Sequence, residues 1–216
     1  MSFLRTPATL LCDPAYLKLL IRTRSWDTIK QAGFITEPVL RDDIELKHDM
    51  FVEAAYRKIT KPGVILLMTG CFAPMHHGHI DAMKLAKQAV EFSLNKPVVG
   101  GFLSMCHGSY VRTKTKEPCF LTDNRAFEME SILQQHAPWI YPSIWETMQP
   151  GALNFTTVYR EFVKFFKNHL VVCVYGADNE AFRLAFLNNE LNVCVERRTF
   201  VGRTRPDIPT NTIYAA

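Results

Sequence analysis

Apolar and polar positions change rhythm near residue 60. Before it, apolar side chains recur at helical spacing. Tyr16, Leu17, Leu19, Leu20 and Ile21 follow Asp13-Pro14, an N-cap with an N1 proline, and Gly33 offers a stop. Ile44, Phe51, Val52, Ala55, Tyr56 and Ile59 predict a second helix, with Glu37-Pro38 as the connection. After Pro62-Gly63, short apolar runs alternate with longer periodic stretches. Runs at 64–68, 98–103, 170–175 and 193–195 predict strands, and Ile140 begins a short one. Helices are predicted over 80–92, 123–135, 156–166 and 181–187. That alternation predicts an α/β fold, a parallel sheet with helices on both faces, plus an N-terminal helical extension. The boundary is placed between 1–60 and 61–216. Right-handed crossovers gather the loops after the strands on one edge, where ligands of open α/β sheets bind.

Composition narrows the class. The chain has 216 residues, 48% hydrophobic and 21% charged, which suits a packed domain and excludes a disordered or fibrous one. Its apolar runs are too short to span a bilayer, and no transmembrane segment is expected. The first residues lack the apolar core of a secretory signal. A net charge of +4 suits anionic ligands. No dense Lys/Arg stripe points to a nucleic-acid partner. Six scattered cysteines without a CxxC pair predict a reducing, intracellular setting, cytoplasmic or nuclear first and mitochondrial as an alternative. Cys173 and Cys194 lie inside apolar runs and are expected to be buried thiols.

The chemistry concentrates after the first strand, in Gly70-Cys71-Phe72-Ala73-Pro74-Met75-His76-His77-Gly78-His79. His76 and His79 are three apart at a helix start, so both can face one way. Gly78 lets a ligand approach the backbone. The helix end offers unpaired N–H groups and partial positive charge, which makes a phosphate cradle. A zinc site is the competing reading, but no nearby acid or thiol completes a tetrahedral set, and no metal site is assigned.

This stretch resembles the GxFxPxHxGH signature of the HxGH nucleotidyltransferases, with Cys71 where Ser or Thr is more usual. Val99-Gly100-Gly101-Phe102-Leu103-Ser104 follows, leading to Gly108-Ser109-Tyr110-Val111-Arg112-Thr113-Lys114. Then come Asn124-Arg125, Trp145-Glu146 and Tyr175-Gly176-Ala177-Asp178. That order is similar to the eukaryotic-type nicotinamide mononucleotide adenylyltransferases, over roughly Val64 to Arg198. The resemblance implies a Rossmann-like nucleotidyltransferase domain at 61–216. It implies adenylyl transfer from ATP to nicotinamide mononucleotide, giving NAD and pyrophosphate, with Mg²⁺ accompanying ATP. It makes His76 and His79 the catalytic residues, and Gly70, Cys71, Phe72, Gly78, Gly176, Asp178 and Arg197 the nucleotide-binding ones. It assigns the mononucleotide to Ser104, Tyr110, Arg112, Lys114, Trp145 and Glu146.

Several residues carry a reading of their own. Trp145 can offer a flat face to a pyridinium ring; its competing reading is a core tryptophan, which is assigned to Trp139. Arg112 and Lys114, with Lys116, make a small basic loop for the mononucleotide phosphate, and remain rivals for the main contact. Asp178 can accept hydrogen bonds from ribose hydroxyls or cap a helix. The family's late Ile-Ser-Ser-Thr-x-Ile-Arg motif has its nearest candidate at 208–214, where Tyr214 replaces the Arg and Pro209 removes a donor. Arg197, with Arg198, Arg203 and Arg205 nearby, can supply that charge instead. This departure favours a second reading, a non-catalytic nucleotidyltransferase-like subunit of a larger assembly or a homo-oligomer built through residues 1–60. Transfer to a different phosphate acceptor is a third.

Overall fold

The structure is a computed structural model that describes residues 46–115, 125–179, 185–186, 190–196 and 211–215. The first expected helix lies outside these residues. So do most of 181–187, the start of the 123–135 helix, Lys116, Arg197, Arg198, Arg203 and Arg205.

Six strands form one sheet: β1 Val64–Gly70, β2 Val98–Met105, β3 Ile140–Ser143, β4 Leu170–Gly176, β5 Asn192–Val195 and β6 Thr212–Ala215. Their order is β3-β2-β1-β4-β5-β6, and every neighbouring pair is parallel. Among the described residues the helices are α1 Met50–Lys58, α2 His77–Leu94, α3 Gly108–Thr115, α4 Arg125–His136 and α5 Phe155–Phe165.

The apolar runs are unbroken because both faces of the sheet are covered. Along β1 the pleat sends Val64, Leu66 and Met68 to one core, with Ile80, Met83 and Val90 of α2 and Met129 and Leu133 of α4. Ile65 and Leu67 go to the other, with Val52 and Ala55 of α1 and Val158 and Phe162 of α5. Cys173 and Cys194 are buried in that second core. The Rossmann-like expectation of helices on both faces holds.

α1 belongs to this packing. Asp49 caps it, accepting from the Phe51 and Val52 N–H groups at 3.0 and 3.3 Å. The other carboxylate oxygen accepts from Ser143 Oγ and the Ile144 and Trp145 N–H groups, at 2.8, 2.7 and 3.0 Å. Thus the described end of the 1–60 segment is welded to the end of β3, and its apolar face completes the second core.

Two stretches differ from their sequence reading. The basic loop holding Arg112 and Lys114 is instead α3. It starts where the His107 ring accepts from the Ser109 N–H at 3.2 Å and pairs with its hydroxyl at 2.7 Å. Its two cations sit in the last turn, where the helix dipole favours them. Among its described side chains only Val111 is buried, so it has no apolar stripe to betray a helix. The second is the candidate for the late motif. Thr212, Ile213, Tyr214 and Ala215 form β6, in register with Asn192, Val193, Cys194 and Val195. Tyr214 is therefore a strand residue at the edge of the described sheet, and positions 208–210 of the candidate motif lie outside the described residues.

Candidate active site

β1 and β4 lie side by side, yet the chain leaves them in opposite directions, toward β2 and toward β5. Outside the carboxyl ends of such a pair a crevice must open. It does: a cavity of 1140 Å³ is walled by the 70–79 loop, by Asp81, Lys84 and Gln88 of α2, by Lys114 of α3 and by Gly176, Asp178 and Asn179 after β4. That volume is ample for a nucleotide.

The loop is tightly organised. Phe72 is buried at φ 42°, a left-handed conformation unusual for a bulky residue. Its ring meets His79 edge-on, with centroids 5.0 Å apart. His76 and His79 stack with centroids 3.8 Å apart and planes 27° from parallel. The His76 N–H donates to His79 Nδ1 at 3.2 Å. With Nδ1 accepting, a neutral His79 carries its hydrogen on Nε2, which becomes a donor away from the loop. Gly78 is needed here for space: a Cβ would stand 3.0 Å from His76 Nδ1 and 3.1 Å from Cε1. Across the cavity, a Cβ on Gly176 would stand 2.5 Å from Asp178 Oδ1. The Asp178 carboxylate thus folds over bare backbone at the end of β4.

Behind the cavity wall lies a polar cluster. The Arg125 guanidinium donates to the carbonyls of Cys71 and Cys106, each at 3.2 Å, tying the ends of β1 and β2 together. A hydrogen bond from Cys106 holds the Cys71 thiol below the ordinary thiol range against its burial, helped by the charges of Lys114 and Arg125. Burial pushes the Glu146 carboxyl up to about 7, while the His107 N–H, the Cys106 thiol and the Ser104 hydroxyl pull it back. Ser104 Oγ and Glu146 Oε2 are buried without a partner at hydrogen-bonding distance, so the Ser104 hydroxyl acts on the carboxyl only at longer range.

Apart from Arg197, outside the described residues, the expected site residues fall into four groups. Gly70, Cys71, Phe72, His76, Gly78, His79, Gly176, Asp178 and Lys114 share the cavity. Ser104 and Glu146 meet in the cluster behind it. Tyr110 and Arg112 lie on α3, exposed, and do not line the cavity; of the two rival cations only Lys114 does. Trp145 is 4% exposed within the second core, so its ring offers no open stacking face. Trp139, expected in the core, is only partly buried and lies under the Lys87 ammonium at 4.9 Å. In the sequence Arg125 carries the resemblance as the head of a helix but has no site role, and Cys106 has none either. One signal was available for Arg125: a cation in the first turn of a helix opposes the dipole and needs carbonyl partners elsewhere.

The fold has one further consequence. Among the described residues no group of three or more acids, histidines or thiols could hold a metal ion. No helix among them is long and apolar enough to cross a membrane.

A family model described as Cytidylyltransferase-like matches residues 67–215, from within β1 to the end of β6. The chain belongs to the cytidylyltransferase-like family. Curated relatives of this cytidylyltransferase-like chain include the nicotinamide-nucleotide adenylyltransferase of Drosophila melanogaster, 28% identical over 124 residues. The nicotinamide/nicotinic acid mononucleotide adenylyltransferase 2 of Danio rerio is 31% identical over 90 residues. These matches take in 57% and 42% of this chain but 30% and 28% of those proteins, less than a third of their length. Among solved structures, the Plasmodium falciparum nicotinic acid mononucleotide adenylyltransferase complexed with NaAD aligns with a TM-score of 0.46 at 14% identity. That alignment covers 65% of this chain and 68% of that one.

Proposed function

We propose that this chain transfers an adenylyl group from ATP to nicotinamide mononucleotide, releasing pyrophosphate and giving NAD. The observation that carries the reading is the stacked His76–His79 pair at the N-terminus of α2, facing a cavity at the sheet's switch point. The names of the curated relatives support the same chemistry.

The residues supply what such a transfer needs. A phosphate oxygen of the mononucleotide attacks the α-phosphorus of ATP in line, and the bond to the bridging oxygen of pyrophosphate breaks. No protein nucleophile is required; alignment and charge stabilisation do the work. The first-turn N–H groups of α2 and the His79 Nε2 hydrogen meet the negative charge that builds on the phosphates. Lys114 adds a cation on the same wall. Asp178 is placed to accept from ribose hydroxyls. Mg²⁺ accompanying ATP would supply positive charge to the departing pyrophosphate, leaving binding and alignment to these side chains.

The test is NAD formation by the purified chain from ATP, nicotinamide mononucleotide and magnesium, beside His76→Ala and His79→Ala. Loss of one such donor costs about 10²–10³-fold in turnover. Turnover that survives both substitutions unchanged would overturn the reading. A panel of other phosphate acceptors separates it from transfer elsewhere.

A further inference from the structure

The proposed transfer does not use the thiols of Cys71 and Cys106. We propose that they form a redox-active pair, oxidised by a peroxide to an intramolecular disulfide in the wall of the nucleotide cavity. The placement comes from the sheet. Gly70 and Met105 are the last paired residues of β1 and β2, and the two cysteines follow them directly. The Cys106 N–H donates to Gly70 O at 2.9 Å, continuing the ladder one step. Neighbouring strands run ~4.7–4.9 Å apart, inside the ~4.4–6.8 Å Cα separation that a disulfide spans. The two positions continue the Gly70–Met105 register, so their side chains leave one face of the sheet, close enough for each thiol to shift the other's titration. Arg125 grips the carbonyl of each residue, so the backbone is held while the sulfurs react. Cys71 lines the cavity, where a small oxidant reaches it.

The roles follow from the surroundings. Cys71 is the sulfur favoured as thiolate, by the Cys106 hydrogen bond and the nearby cations. It attacks one peroxide oxygen; the O–O bond breaks, and Cys71 becomes a sulfenic acid with release of hydroxide, which takes a proton to become water. Cys106 then gives its proton to the Glu146 carboxylate beside it. Its sulfur attacks the sulfenic sulfur, the S–S bond forms, the S–O bond breaks, and hydroxide leaves with the proton from Glu146 as a second water. Two thiols and one peroxide give one disulfide and two waters. The cysteines of β4 and β5 are buried in the core and take no part.

The experiment treats the reduced full chain with hydrogen peroxide, blocks remaining thiols and maps peptides without reduction. The expected product is a Cys71–Cys106 cross-link, two hydrogens lighter, reversed by dithiothreitol. In Cys106→Ser, Cys71 should stop at the sulfenic acid and be trapped by dimedone. Over-oxidation of Cys71 while Cys106 stays free would overturn the proposal, as would a link to Cys12 or Cys119 instead. So would two thiols that resist peroxide at doses that oxidise free cysteine. Protection by saturating ATP is expected if the proposed function holds. Cross-linking indifferent to ATP counts against that function and leaves the thiol pair standing.

Discussion

Ile144 donates its backbone N–H to Asp49 Oδ2 at 2.7 Å, across 95 positions of sequence. The contact joins the start of α1 to the end of β3 and sits beside the loop that carries Glu146. Asp49 is fully buried and accepts five hydrogen bonds, two from α1 and three from residues 143–145. Asp49→Asn keeps the size but puts an NH₂ group before buried N–H donors. We expect it to destabilise the chain by about 2–4 kcal/mol, since each buried donor left unpaired costs ~1–3 kcal/mol. Denaturant unfolding of the two proteins checks this.

Gly78→Ala separates site geometry from stability. Alanine is favoured over glycine in a helix by up to ~1 kcal/mol, so propensity alone would raise stability. The new methyl group would press on the His76 ring and disturb its stack on His79. Turnover should fall about 10- to 100-fold with little loss of melting temperature. Unchanged turnover would mean that the imidazole stack does not matter.

Glu146 makes stability depend on pH with a definite sign. Its carboxyl titrates near 4.5 when unfolded and about 7 when folded. Below pH 4.5 both states hold the proton and the group contributes no slope. As pH rises toward 7 the unfolded chain releases a proton that the folded chain keeps, so stability falls, in total by about 3 kcal/mol. Asp49, raised by burial from 3.8 to about 6, slopes the same way at lower pH. Glu146→Gln should flatten the curve between pH 5 and 7 and leave the Asp49 part intact, as unfolding measured across that range would show.

Arg125→Met removes both bonds that tie Cys71 to Cys106. Hydrogen bonds to charged groups contribute ~1.5–3 kcal/mol each, and a loss of about 3–6 kcal/mol is expected. Lysine should restore less than half, because one ammonium cannot reproduce the planar fork that spans two carbonyls. Thermal unfolding of the three proteins ranks them.

The elements that could be read from sequence are those whose pattern is local. β1 and β4 are continuous apolar runs, and α2 and α5 have clear stripes. α3 and β6 could not be read. α3 owes its start to one imidazole and, among its described side chains, buries only Val111. β6 has four residues, and its identity depends on pairing with β5.

By itself the sequence determined the sheet's buried strands, the helix that follows the 70–79 loop and the nucleotidyltransferase signature, because periodicity and a ten-residue motif act over short distances. Tertiary structure decided which candidates share a space. It brought Lys114 into the cavity, buried Trp145, joined Asp49 to β3 and set Cys71 beside Cys106. Those outcomes depend on strand order and register, and on neighbours tens of residues away, which no local pattern encodes.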